Sequence, residues 1–97
     1  MALNRLEEKI TIRQGSWKEV HGEYDMILAN LVPSVLLRTG QTIPGHLKGG
    51  GRAVIAGFGH DQMDAMERFF VASGLAAEER NTLEGWGLLV MKRPEDG

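Results

Sequence analysis

The stretch Gly22-Glu-Tyr-Asp-Met-Ile-Leu-Ala-Asn-Leu31 decides how the rest of this 97-residue chain is read. Its centre, Met26-Ile-Leu-Ala29, is apolar without a break and too short for a helix. Two further runs behave alike, Ala53-Val-Ile-Ala56 and Leu88-Leu-Val-Met91. Continuous apolar runs of four point to strands covered on both faces, the habit of parallel sheets. Residues 9–14 differ: Ile10 and Ile12 alternate with Thr11 and Arg13, which predicts a strand buried on one side only, as at a sheet edge. Leu75–Arg80 and Trp86–Lys92 predict a hairpin across Asn81-Thr-Leu-Glu-Gly85.

Helices fit between these strands. After Gly57-Phe-Gly59, Asp61 is the expected N-cap and Asp64 adds negative charge to the first turn. Met63, Met66 and Phe70 then share one helical face, and Ser73-Gly74 supplies the stop. Pro33 suits the first turn of another helix carrying Leu36 and Leu37, broken by Gly40 and Pro44 and ending at Leu47. Strand alternating with helix and closed by a hairpin predicts a three-layer α/β fold, with residues 1–97 forming a single domain.

Eleven Lys and Arg against thirteen Asp and Glu give a net charge of -2, which argues against a nucleic-acid binder or a membrane-surface binder. The absence of cysteine removes disulfides, thiolate zinc sites and cysteine nucleophiles together. No apolar run approaches the ~18 residues needed to span a bilayer. Met1–Glu8 reads as helix-like and not as a secretory signal, which makes a cytoplasmic protein the default.

Ligands of open α/β sheets sit outside the carboxyl ends of the parallel strands. That rule nominates Gln14-Gly-Ser16, Ala29-Asn-Leu-Val-Pro33 and Gly57-Phe-Gly59. Asn30 either turns the chain before Pro33 or presents to a ligand an amide able to donate and accept. Gly15-Ser16 is either a plain turn or a place where backbone and hydroxyl approach a ligand. Gly57-Phe-Gly59 begins like a dinucleotide fingerprint, but Gln62 stands where the third glycine is needed. Lys48-Gly-Gly-Gly51 is expected to leave a helix and enter a strand, the reverse of a phosphate loop, and so to serve as helix cap and turn. His21, His46 and His60 lack metal-ligand spacing, and no metal site is expected. Trp86 and the methionines read as core or edge packing.

The segment from Gly22 to Leu31 resembles the G-x-Y-D-[LM]-I-[LV]-A-N-[IL] stretch of the methyltransferases acting on amino groups of a ribosomal large-subunit protein. Those enzymes fall within the larger S-adenosylmethionine-dependent class with a Rossmann-like fold. Upstream, Ile10-Thr-Ile-Arg-Gln-Gly-Ser16 is similar to the family's third strand and the turn after it. Downstream, Leu47-Lys-Gly-Gly-Gly-Arg52 stands where the family has L-K-P-G-G-R before its fifth strand, with Gly in place of Pro at Gly49. Trp86 and Leu88–Arg93 resemble the last strand. The likeness runs along nearly the whole chain in the right order.

The resemblance implies roles at matching positions. Asn30 orients the incoming amine through its side-chain carbonyl, and Leu31 and Pro33 border the substrate entrance. Gly15 and Ser16 lie near the adenine of S-adenosylmethionine, and the substrate is a protein. The family's glycine-rich cofactor loop and its ribose-holding acid follow a first and a second strand that have no counterpart in these residues. The expectation is therefore a partial methyltransferase fold, a mixed sheet with a C-terminal antiparallel hairpin, that binds S-adenosylmethionine weakly or not at all by itself and is inactive alone. The alternative is a non-catalytic binding or assembly module, a homodimer or a partner in trans, derived from the same half-fold. The family's sheet order, 3-2-1-4-5-7-6, leaves the strand at residues 25–30 with an open edge, which either residues 9–14 fill or two copies share in a homodimer. The second option is the expectation.

Overall fold

The computed structural model describes residues 9–13, 22–30 and 32–95. Strand β1 spans Lys9–Arg13 and β2 spans Tyr24–Asn30; helix α1 follows at Pro33–Thr39 and runs directly into a 3-10 segment, Gly40–His46. Strand β3, Leu47–Gly59, leads through a short 3-10 turn to helix α2, Met63–Ala72. Strands β4, Ala76–Leu83, and β5, Trp86–Lys92, close the chain. The sheet has five strands in the order β1-β2-β3-β5-β4. β1, β2 and β3 run parallel, and β5 is antiparallel to both β3 and β4. The mixed α/β sheet with a terminal hairpin is as the sequence predicts.

One expectation is corrected. β1 pairs with β2 from Lys9↔Met26 to Arg13↔Asn30, while β3 holds the other side of β2. Both edges of the strand at residues 25–30 are filled within the chain, the option that the sequence reading set second. A five-residue strand of the same chain reaches that edge at no cost in concentration, which a second copy cannot match.

The direction in which the chain crosses the sheet places its helices. From β2 through α1 to β3, and from β3 through α2 to β4, the path moves the same way across the sheet. Right-handed crossovers taken in one direction lay their helices on one face. Ile12, Ile27, Ala29, Ala53, Ile55, Leu89 and Met91 occupy that face and form one buried cluster with Leu36, Ile43, Met63, Met66 and Phe70. Gly40 lies so close to Phe69 and Phe70 that a Cβ there would meet their rings at 3.0–3.1 Å, which ties α1 to α2 in the same layer. The described residues thus supply the sheet and one helical layer. Leu37, paired with Leu36 in the sequence reading, is 50% exposed while Leu36 is fully buried.

Local chemistry sets the ends of the elements. Pro33 stands at the first position of α1, where the carbonyl of Val32 accepts from the amides of Val35 and Leu36 at 3.0 Å each. Asp61 does not cap α2. A 3-10 turn comes before the helix proper, and Gln62 Oε1 accepts the Gly59 amide at 2.9 Å at the head of that turn, while no side chain caps α2 itself. At the other end Leu75 donates to the carbonyl of Phe70 and Gly74 to that of Val71, a Schellman closure that Gly74 permits with φ of 107°. The hairpin is longer and tighter than expected: β4 runs to Leu83 and the turn is Glu84-Gly85, both at positive φ, the two-residue form that suits strand twist.

The glycine run does not cap a helix. Lys48–Gly51 lies inside β3, where Tyr24↔Leu47 is followed by Met26↔Arg52, so the extra residues loop out of the ladder. A Cβ on Gly51 would meet the carbonyl oxygens of Lys48, Tyr24 and Asp25 at 2.9–3.2 Å, which only glycine avoids. Arg93 pins the loop: its amide donates to Gly51, its carbonyl accepts from Gly50, and its guanidinium donates to the carbonyls of Pro44 and Leu47. No described helix is long and apolar enough to cross a membrane.

Candidate functional site

The parallel strands β1 and β2 end together, and Asn30 is the last residue of β2. It stands in register with Arg13 on one side and Ala56 on the other. Its side chain is exposed, while Ala29 immediately before it is buried. The strand alternation that sinks Ile27 and Ala29 into the core therefore turns Asn30 outward. Val32, 57% exposed, and Pro33, partly buried, continue the rim and start α1. Of the residues nominated by the sequence, the structure brings Asn30 and Pro33 to one rim. Gly15, Ser16 and Leu31 lie outside the described residues.

Beyond Asn30, β3 runs on for three residues. A bulge at Gly57, φ 98°, shifts the register so that Phe58 turns into the core and faces Gly87. β3 then binds the hairpin turn: the amide of His60 donates to the carbonyl of Gly85 at 2.8 Å. The Gly57-Phe-Gly59 stretch thus serves a bulge and a tie to the hairpin. The Lys48–Gly51 loop lies at the opposite end of β3 from Asn30, as its reading against a phosphate loop requires.

The charged clusters lie elsewhere. Arg80 of β4 bridges Asp64 at 2.6 Å and Glu67 at 3.2 Å on α2. The acids sit three apart on the helix face that meets β4, a spacing visible in the sequence, but their partner could not be read without the strand register. Two clefts flank Arg80, one of about 530 Å³ against Glu67, Arg68, Val71 and Ala72, the other of about 340 Å³ against His60, Met63, Asn81 and Thr82; Asn30 lines neither. On the far side of the sheet Arg52 pairs with Glu78, and that hydrogen bond holds the Glu78 carboxyl below the usual carboxylate range. No group of three or more His, Asp or Glu able to hold a metal occurs among the described residues.

The rim can hold and orient a small polar group, and it offers little for a large charged one. At the ends of β2 and β3 the side chains are Asn30, then Ala56 and two glycines, with a single amide and no carboxylate. S-adenosylmethionine carries ribose hydroxyls and an amino-acid head that need several donors and an acid. The described residues do not fit the whole cofactor.

Comparison with known proteins identifies the family. The family model described as ribosomal protein L11 methyltransferase (PrmA) matches residues 1–94. A ribosomal protein L11 methyltransferase from an Exiguobacterium strain is 30% identical over 76 residues, 78% of this chain and 24% of that protein. Another from Geobacillus kaustophilus is 28% identical over 93 residues, 95% of this chain and 30% of that protein. The chain therefore spans less than a third of the length of these relatives. Among solved structures, a ribosomal protein L11 methylase from Lactobacillus delbrueckii subsp. bulgaricus superposes with a TM-score of 0.72 at 22% identity, over 81% of this chain and 41% of that one. A methyltransferase from Pyrococcus furiosus gives 0.61 at 14% identity, over 77% and 43%. These two likenesses speak for the fold.

Proposed function

This chain belongs to the ribosomal protein L11 methyltransferase family, and from that premise we propose that it forms the acceptor side of a methyl transfer from S-adenosylmethionine to an amino group of a protein. The observation that carries the reading is the placement of Asn30, exposed at the carboxyl end of β2 between Ala56 and the start of α1. Methyl transfer is an in-line displacement in which the nucleophile is a neutral amine, so position matters more than acid or base strength. The amide oxygen of Asn30 accepts one N–H of the amine and leaves its lone pair free to point at the methyl carbon. A carboxylate at the same place would favour the ammonium form, which has no lone pair to give. Val32 and Pro33 border the approach, and Leu31 and the Gly15-Ser16 turn belong to the same proposal by family likeness. S-adenosylmethionine supplies the electrophilic methyl group when bound. Its remaining contacts lie beyond the residues described, so the chain alone binds it weakly and does not turn over.

Two titrations test this, the first followed by amide NMR and the second by calorimetry. A lysine-containing peptide of ribosomal protein L11 is expected to move the Asn30 side-chain amide and the backbone amides of Val32 to Leu36; an unmoved Asn30 at millimolar peptide overturns the acceptor role. Calorimetry with S-adenosylmethionine is expected to give no binding at micromolar affinity or tighter; tight binding overturns the incomplete cofactor site.

A further inference from the structure

The last two strands of the sheet are held differently. β4, Ala76–Leu83, is exposed along its whole length, and no residue of it joins the buried cluster. β5 beside it is the reverse, with Leu89, Val90 and Met91 buried. β4 therefore holds to the fold through its ladder with β5 and through side chains that reach past that strand. Little apolar burial and an exposed ladder mark the segments that open locally. Both ends of β4 are fixed. Leu75, just before it, is buried; after it, the Gly85 carbonyl accepts from the His60 amide at 2.8 Å, with the His60 ring nitrogen Nδ1 at 3.2 Å.

An irregularity in β4 puts one ion pair on each side of the sheet. Ala77↔Met91 is followed by Glu79↔Val90, so Glu78 is an extra residue in the ladder. In a regular strand Glu78 and Arg80 would point to the same side. The bulge sends Glu78 instead to the side of Arg52, whose Nε and Nη2 donate to its two carboxylate oxygens at 2.5 and 3.1 Å. Arg52 belongs to β3 and is paired with Lys92 of β5, so this contact spans a whole strand. On the helical side Arg80 reaches Asp64 at 2.6 Å and Glu67 at 3.2 Å on α2. Both contacts pass over the strand next to β4 and tie it directly to the body of the fold.

We propose that β4 is a guard strand: residues 76–83 open as a unit while the rest of the fold stays intact, and the two ion-pair clamps hold them shut. Closed, the strand covers the outer edge of β5, whose apolar run Leu88–Met91 would otherwise present unpaired backbone groups to another chain. The strand itself carries a bulge, Glu79 and Arg80, features that keep an edge from pairing. Exposed ion pairs are screened by salt, so ionic strength sets how often the guard opens.

Native-state hydrogen exchange tests this within a single strand. The amides of β5 alternate between β3 and β4, so neighbouring residues report on opposite edges. Relative to their intrinsic rates, the amides directed to β4 are expected to exchange about tenfold faster or more than those directed to β3, with little dependence on added urea. Raising sodium chloride from about 0.05 M to about 0.5 M is expected to speed that set several-fold. Arg80→Gln is expected to speed it several-fold at low salt and to shrink the salt effect; β3-directed amides that stay protected show that the variant is folded. Should Arg80→Gln fail to fold, Glu67→Gln makes the same test with one carboxylate fewer. One protection factor and one urea dependence for every β5 amide overturn the proposal, because β4 then opens only with the whole fold. So does a β4-directed set that neither salt nor the substitution moves, because the ladder alone then holds the strand.

Discussion

On one face of the sheet Ile27, Ala53, Ile55, Leu89 and Met91 are buried beneath α1 and α2; on the other, Met26, Leu28, Val54 and Leu88 are half-buried and Trp86 is mostly exposed. Trp86 apart, the same three apolar runs supply both sets. Burial thus differs between residues of equal hydrophobicity and adjacent position, and the difference comes from which side the crossovers take. Apolar character specifies that a strand side can be covered, and connectivity decides whether it is.

The largest test of this contrast removes one buried anchor. Phe70→Ala, on the fully buried side of α2 and in edge-to-face contact with Phe69 at 5.0 Å, is expected to cost about 3–5 kcal/mol in urea unfolding. Val54→Ala, on the other face, is expected to cost about 1 kcal/mol or less in dilute solution, because little apolar area leaves contact there. Equal losses would erase the distinction between the faces. Next comes overfilling the covered side. The space beside Gly87 is taken by the Phe58 ring, which a Cβ there would meet at 2.2 Å. Gly87→Ala is expected to lower stability by about 1–3 kcal/mol, and Phe58→Leu in the same chain to recover part of the loss.

A smaller effect of opposite sign is expected at the hairpin, which belongs to neither face. Glu84 holds φ of 52° in a turn that favours asparagine followed by glycine. E84N is expected to stabilise by about 0.5–1 kcal/mol, seen as a raised melting temperature. The smallest effect concerns the open face alone. The Glu78 carboxyl is held below its ordinary value by Arg52, so its contribution is present above the unfolded value, about 4.3, and is lost as pH falls through the lower folded value. Glu78→Gln is expected to flatten the acid limb of the stability curve slightly and to leave neutral pH nearly unchanged; an equally steep limb would remove Glu78 from the account.

Several features were legible because they depend on neighbours in sequence. The three apolar runs are strands, Pro33 starts a helix, Ser73-Gly74 ends one, and Met63, Met66 and Phe70 share a buried face. Asn30 could be placed at a strand end from its run alone, and the family was recognisable in the residues around it. The cap of α2 was misassigned because a 3-10 turn, which leaves no mark in composition, takes up Asp61 and Gln62, and α2 itself has no side-chain cap. Trp86 was assigned to packing because tryptophan usually packs; only its register opposite Leu83 shows it outside the covered side.

The sequence by itself determined which segments are strands and helices, where most of them begin to within a residue or two, with β3 starting six residues ahead of its apolar run, and which residue stands at the end of β2. Those follow from periodicity, caps and turns, which act over a few residues. Only the tertiary structure decided that residues 9–13 close the edge of β2, that the glycine run loops out within β3, and that one sheet face lacks a helical layer among the described residues. These depend on which strand lies beside which and on the side each crossover takes, long-range relations that no local pattern encodes.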